Sequence, residues 1–290
     1  MSQYTDLSIP VSVVGPGTQP SEEDGMQLDY MKMPNDMSVF NAPIIMDDNI
    51  ESYPVVEDLM NQLMNALTHF KEGDDAVRFD FATFEEKDIQ FINKFLGEGE
   101  VAVIFNEENR QLRIQETVLA GVWRIAGHED GNIIQAIEVG TVPVAIRNDT
   151  FAKANSIITL PKEQPAGTIN APSLLTELSD KSFAYLVGDE AHVVNLTLLP
   201  QSPEDLDMLG EYLGEGPTVF LSRGYGSCRV TSTNLKHVWW VQYFNSEDKL
   251  ILNTLEVVDV PIVTQASIED IRESSGRITE MVESVKTNDK

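Results

Sequence analysis

The sequence predicts an α+β protein made of two tandem copies of one unit, each running helix, strand, helix and then antiparallel strands, with a C-terminal helix after the second copy. Three observations predict it. Landmarks recur in one order: Asp88, Leu96-Gly97-Glu98-Gly99, Val122-Trp123-Arg124-Ile125 and Pro143 are answered by Asp205, Leu213-Gly214-Glu215-Gly216, Val238-Trp239-Trp240-Val241 and Pro261. The offset is 117 from Asp88 to Asp205, 116 from Trp123 to Trp239 and 118 from Pro143 to Pro261, so register holds except for single-residue loop changes. Upstream, at an offset of 115, Leu59, Met60, Leu63 and Gly73-Asp74-Asp75 line up with Leu174, Leu175, Leu178 and Gly188-Asp189-Glu190. Finally, each Gly-Glu-Gly is followed by short apolar and β-branched runs of strand length.

Taken in order, residues 1–54 are an acidic, largely irregular segment broken by Gly15-Pro16-Gly17, Pro20, Pro34, Pro43 and Pro54. Such a segment buries too little apolar surface to offset its ordering entropy. Its methionines, among them Met26, Met31 and Met37, give it adaptable apolar contacts suited to docking. The first unit covers residues 55–143. Val56, Leu59, Met60, Leu63, Met64 and Leu67 predict an amphipathic helix, and a short strand follows at 77–81. A second helix over 85–96 has acidic residues in its first turn and Gly97 at the position of a left-handed cap. Strands are expected at 101–105, 111–117, 120–126 and 133–139, the last two joined through Asp130-Gly131, a hairpin-turn signal.

Residues 144–169, with Pro161, Pro165 and Gly167, read as a connector. The second unit, 170–261, repeats the plan. Ser202, Pro203 and Asp205 spell the start of its middle helix: cap, first helical position and capping-box acid. Within 262–290, Ile268, Ile271, Ile278, Val282 and Val285 predict a C-terminal helix with one solvated face. The repeat allows the copies to pack about a pseudo-two-fold axis, and sequence does not say whether their sheets join.

Composition narrows the function. With 47 acidic against 20 basic residues the net charge is -27, which repels phosphate backbones and anionic membrane surfaces; it serves solubility in the simpler reading and would draw in basic polypeptide partners in the other. One cysteine, Cys228, leaves neither an internal disulfide nor a Cys-cluster metal site, and fits a reducing, cytoplasmic address. No apolar run reaches the length of a membrane span, and no secretory signal is visible. No phosphate loop, dinucleotide fingerprint, zinc spacing or nucleophile elbow occurs, so no cofactor is expected and a binding protein is favoured over an enzyme.

Glu98 and Glu215, each between two glycines, are the chemistry-capable residues that repeat. A dyad could pair them for acid/base work, but a Leu-Gly-X-Gly run after a helix more simply supplies a cap and a tight entry to a strand. The copies differ most at 222–229. There the second copy has Arg223, Gly224, Tyr225, Gly226, Cys228 and Arg229 where the first has an acidic turn around Glu107 and Glu108. Planar donors, a ring and a thiol beside cations make that stretch a candidate recognition loop, while the simpler reading is a hairpin whose Cys228 packs inward. Trp123, Trp239 and Trp240 read most simply as core and inter-unit packing, but adjacent strand residues point to opposite faces, so Trp239 and Trp240 cannot both be buried by one side of a sheet; one of them, with Trp240 the candidate, is expected to cover a partner or the other unit.

Two long stretches carry a resemblance. Leu213-Gly214-Glu215-Gly216-Pro217, Leu221-Ser222-Arg223-Gly224-Tyr225-Gly226, Cys228-Arg229-Val230-Thr231-Ser232-Thr233 and Val238-Trp239-Trp240-Val241-Gln242-Tyr243 make up one of them. In the first copy, Gln115-Glu116-Thr117-Val118-Leu119-Ala120-Gly121-Val122-Trp123-Arg124 belongs with them. Together they resemble the C-terminal region of the HupH/HyaF hydrogenase expression and formation proteins over roughly residues 40–265. The resemblance implies a cytoplasmic accessory factor for an uptake [NiFe] hydrogenase. It would bind the iron-sulfur small-subunit precursor before export, together with other accessory proteins. Arg223, Tyr225, Cys228, Arg229, Trp240, Glu98 and Glu215 are the candidate partner-binding residues. The rival expectation is a processing enzyme acting on the precursor through Cys228 or the Glu98/Glu215 pair.

Overall fold

The computed structural model describes residues 50–224 and 226–286. The acidic segment up to residue 49, Tyr225 and residues 287–290 lie outside the described residues.

Helix α1 (Pro54–His69) opens the described chain, with proline in its first turn and Val56, Leu59, Met60, Leu63 and Leu67 on its buried stripe. Strand β1 (Val77–Asp80) and helix α2 (Glu86–Leu96) follow. Asp88 Oδ2 accepts from the Glu85 N–H at 3.1 Å, so the third residue of the helix closes its own start. Four strands come next: β2 (Val101–Glu107), β3 (Arg110–Glu116), β4 (Val122–Glu129) and β5 (Asn132–Val139). Asp130 and Gly131 form the β4–β5 turn with φ of 49° and 80°, the pair of positive angles a two-residue hairpin of primed type requires. The connector contains one short helix, α3 (Val144–Asp149), which the sequence did not announce.

Helix α4 (Ala171–Ala184), strand β6 (His192–Asn195) and helix α5 (Pro203–Leu213) then precede β7 (Thr218–Gly224), β8 (Gly226–Ser232), β9 (Val238–Phe244) and β10 (Leu250–Val257). Ser202 and Asp205 form the capping box of α5 as the sequence spells it. A short 3₁₀ turn at Ile262–Thr264 leads into α6 (Ile268–Lys286).

All ten strands join one antiparallel sheet, in the order β1-β5-β4-β3-β2-β7-β8-β9-β10-β6. The central contact is β2 with β7, where Val101 faces Ser222, Val103 faces Phe220 and Phe105 faces Thr218. Helices α1, α2 and α6 pack together, α1 also meeting β5, while α4 packs on α5 and β10. Trp123 and Trp239 are both fully buried, and each indole N–H ends on backbone beyond the following strand. Trp123 Nε1 donates to the Gly140 carbonyl at 2.8 Å; Trp239 Nε1 donates to the carbonyls of Val258 at 3.2 Å and Asp259 at 3.1 Å. A buried indole keeps its N–H only where such an acceptor exists.

Trp240 corrects an expectation. It is buried as well, at 7% exposure, with Nε1 donating to Asn253 Oδ1. Trp239 and Trp240 do point to opposite faces of β9, but the chain covers both faces there, so Trp240 has no surface to offer a partner.

Candidate functional site

The two Leu-Gly-Glu-Gly runs are structural before they are anything else. Gly97 and Gly214 end α2 and α5 with φ of 57° and 61°, angles at which a side chain is strained. Gly99 then passes so close to the β3–β4 connection that an added Cβ would sit 2.3 Å from the Thr117 carbonyl oxygen. At Gly216 it would sit 2.5 Å from Ser232 Oγ. Backbone bonds use that proximity: Gly99 N–H donates to Glu116 O and Gly216 N–H to Ser232 O, both at 2.7 Å.

The glutamates between these glycines are held apart. Because β2 and β7 are antiparallel, Glu98 precedes one end of a five-pair ladder and Glu215 precedes the other. Four strand steps alone separate those ends by roughly 14 Å. The structure therefore does not bring Glu98 and Glu215 together as an acid/base pair. Glu98 Oε1 instead accepts from Arg124 Nη2 at 3.2 Å, with both side chains about three-quarters covered.

The stretch 222–229 is two strand ends rather than a loop. Ser222 faces Cys228 and Arg223 faces Ser227, so alternation divides the candidates between faces. Cys228 belongs to the same buried cluster as Val230, Phe220 and Trp239. Burial pushes its thiol up to about 12, opposed in part by a hydrogen bond with Tyr243. A thiol so placed stays protonated near neutral pH and does not suit a nucleophile. Arg223 and Arg229 share the other face with Leu221. Arg229 is half-buried, which lowers its pKa, and Glu215 acts on it in the opposite direction. Arg223 stands at the far end of β7, its N–H on the Glu100 carbonyl at 3.1 Å, beside the entry to β2.

Each strand-end glutamate thus meets the hairpin tip of the other half. Near Glu98 and Glu100 lies the β7–β8 tip with Arg223; near Glu215 lies the β2–β3 tip with Glu107 and Glu108. The latter junction holds a cleft of about 320 Å³ lined by Asn106, Glu107, Glu108, Lys153, Glu215 and Asn234. Lys153 Nζ is paired with Glu107 Oε2 at 2.8 Å, which leaves Glu108 and Glu215 to give the cleft a negative balance. Residues in this arrangement suit recognition of cationic and hydrogen-bonding polypeptide groups. Lys153 and Asn106 carried no sequence signal, because the cleft is assembled from hairpin, connector and helix end across the centre of the sheet.

Two buried carboxylates have surroundings that the sequence did not announce. Glu116 on β3 accepts from Gly121 N–H at 3.1 Å, and burial raises its carboxyl to about 7. Asp205 accepts from the N–H groups of Ile169, Asn170 and Ala171 through Oδ1 and of Ser202 through Oδ2. Those bonds outweigh its desolvation and hold it down to about 2. Among the described residues no group of His, Cys, Asp and Glu is arranged to hold a metal ion, and no helix is long and apolar enough to cross a membrane.

Comparison with known proteins shows the family. The family model for the HupH hydrogenase expression protein, C-terminal conserved region, matches residues 51–160 and 168–285. The hydrogenase expression/formation protein HoxQ of Cupriavidus necator is 39% identical over 275 residues, covering 94% of this chain and 96% of its own. HupH of Rhodobacter capsulatus is 39% identical over 283 residues, with 97% and 99% covered. The hydrogenase-1 operon protein HyaF of Escherichia coli is 27% identical over 278 residues, with 93% and 94% covered. A solved structure of the hydrogenase expression protein HupH from Thiobacillus denitrificans is 26% identical and covers 38% of this chain and 92% of its own, at a TM-score of 0.36.

Proposed function

The chain belongs to the family of HupH hydrogenase expression proteins, and from that premise we propose that it is an accessory protein of hydrogenase maturation. In this reading it binds the iron-sulfur small-subunit precursor in the cytoplasm before export, alongside other accessory proteins, and acts as a chaperone rather than as a catalyst. The observation that carries the reading is where the chemistry-bearing side chains lie. Cys228 is buried, with its thiol pushed up to about 12, and Glu98 and Glu215 are at opposite ends of the β2/β7 ladder, so neither catalytic candidate of the rival reading is arranged for chemistry. What faces outward instead is charge. A balance of 47 acidic to 20 basic residues draws in a basic polypeptide, and Arg223 and Arg229 add planar donors on one sheet face. We assign the contact to Arg223, Tyr225, Arg229 and Glu215, with the Glu98–Arg124 pair bordering it.

The same reading takes residues 55–143 and 170–261 as two copies of one unit, related by a two-fold axis that passes between β2 and β7. Several features support it. The strand order pairs β1 with β6, β2 with β7 and β5 with β10 when read inward from the two edges. Val103 faces Phe220, the residue 117 positions on, and Val101 faces Ser222 as Phe105 faces Thr218. Thr117 and Thr233 each bond the N–H and carbonyl two residues ahead. Such an architecture offers a partner one wide, rigid surface.

The test is co-purification of the small-subunit precursor with the full chain and with the doubly reversed Arg223→Glu, Arg229→Glu chain. At least a tenfold loss of retained precursor is expected on charge reversal. Retention that survives both this change and deletion of the precursor's export signal would refute the assignment.

A further inference from the structure

The two outer edges of the sheet are built alike and finished differently. On one edge, β1 pairs with β5 so that Arg78 faces Glu138; on the other, β6 pairs with β10 so that Val193 faces Glu256. Arg78 and Val193 are counterparts at the offset of 115 that aligns the upstream parts of the two copies. At the first edge Arg78 Nη1 reaches Glu138 Oε1 at 2.9 Å and its guanidinium also holds Asp80, so the strand is closed by charge. At the second edge Glu256 is half-buried and accepts only from Thr254 Oγ1, at 3.1 Å, among the described residues. Val193, which stands where the cation would be, is 50% exposed.

Apolar surface is concentrated at this same edge. Beyond the His192 end of β6 lie Phe183, Leu186 and Val187, exposed by 70% or more. The Tyr185 hydroxyl, which accepts from Asp259 N–H at 3.0 Å, ties that segment to the end of β10. Beyond the Asn195 end lie Leu198 at 79% and Ile251 at 56%, joined by the bond from Asn253 N–H to Thr197 Oγ1. The first copy has Thr68, Lys71, Glu72 and Thr83 where the second has Phe183, Leu186, Val187 and Leu198. Ile251 is no part of this contrast, since its counterpart Ile133 is exposed by 73%, but four large apolar residues left in the open at one copy of a repeated surface, with polar ones at the other, mark a surface kept for an interaction. An open edge strand flanked by apolar side chains takes an added strand, whose backbone supplies affinity and whose alternate side chains supply specificity.

The geometry points to β6 as a docking edge for an extended polypeptide segment of a client, one that lays apolar residues against Leu186, Val187, Leu198 and Ile251 and passes an arginine or lysine over Val193 to Glu256. The choice of occupant rests on charge. Glu256 lacks the cation its counterpart has, Asp189 and Glu190 are exposed just ahead of β6 in the chain, and the chain as a whole carries -27. This inference rests on the reading of the chain as a two-copy protein that holds a polypeptide client.

Two blocked, dye-labelled synthetic nonapeptides of alternating valine and threonine, one with a central arginine and one with a central glutamate, test it on the purified full chain. Fluorescence anisotropy is expected to show the arginine peptide binding at least tenfold more tightly, with the preference shrinking in salt. Amide exchange of the wild-type chain is expected to slow at His192–Asn195 and not at Val77–Asp80 when that peptide is bound. Val193→Arg, which supplies the missing cation at an exposed position, is expected to abolish binding, and Glu256→Gln to erase the preference between the peptides. Equal binding of the two peptides, no binding of either, or protection at β1 would overturn the proposal. So would a dimer seen by light scattering that Val193→Arg dissolves, which would give the edge to a second copy. Precursor retained at wild-type level by the Val193→Arg chain would sink the edge proposal while leaving the accessory role standing; precursor lost from the wild type with peptide binding intact would do the reverse.

Discussion

Replacing Glu116 with glutamine should stabilise the protein at neutral and alkaline pH and remove a slope from its stability curve. Glu116 is 8% exposed, accepts one backbone N–H from Gly121, and sits within the field of Glu100 and Asp270, which adds to the effect of burial. Its pKa rises from 4.5 to about 7. Below pH 4.5 the carboxyl is protonated whether the chain is folded or not. Between about 4.5 and 7 the unfolded chain gives up this proton and the folded chain keeps it, so stability falls as pH rises; above 7 the full penalty is present. At about 1.4 kcal/mol per unit, the ceiling is about 3 kcal/mol. Glutamine keeps the acceptor for Gly121 and cannot ionise. Urea unfolding at pH 5 and pH 8 should show the wild type losing about 1–3 kcal/mol between the two relative to Glu116→Gln. Parallel curves for the two proteins would refute the assignment of a desolvated carboxyl at this position. The second copy has Ser232 at the corresponding place, where the hydroxyl accepts from Thr218 N–H at 3.0 Å and nothing titrates.

Asp205 should behave oppositely. Its pKa is depressed to about 2, so its contribution is present above about pH 4 and lost as pH falls through about 2. Asp205→Asn should cost about 1–3 kcal/mol at pH 7 and flatten the acid limb of the unfolding curve. The glycines give a contrast within one chain. Gly99→Ala would drive a Cβ into backbone and should cost about 3 kcal/mol or more, whereas Gly276→Ala, on α6 with no atom within 4 Å of the added Cβ, should raise stability by about 0.5–1 kcal/mol in thermal melts. Cys228 should resist iodoacetamide at pH 8 in the folded protein and react after unfolding, because its thiol is buried and pushed up to about 12. Cys228→Ser should leave hydrogenase maturation nearly intact in cells; its abolition would favour a catalytic role.

The elements were legible in the sequence because each is specified locally. The capping box at Ser202 and Asp205, the Asp130-Gly131 hairpin and the helical stripe from Val56 to Leu67 all need only neighbours within a few residues. The joining of ten strands into one sheet was not legible, since it depends on β2 meeting β7 more than 110 residues away. The candidate site suffered for the same reason. Glu107, Lys153 and Glu215 come to one cleft from a hairpin, the connector and a helix end, so no spacing in the chain announces it. At Trp240 and Cys228 inward packing was the simpler reading and it holds, whereas their candidacy as partner contacts does not: a residue type rich in chemistry says nothing of its face until the covering helices and neighbouring strands are placed. The difference between Arg78 and Val193, by contrast, was written in the aligned copies and acquired meaning only once both were seen on open edges.

The central claim is that this chain holds a hydrogenase precursor, and capture from cells expressing the hydrogenase operon tests it most directly. With the full chain as bait and mass spectrometry of what is retained, the account predicts recovery of the small-subunit precursor, its export signal still attached. Recovery of no hydrogenase component by a folded, abundant bait would contradict it.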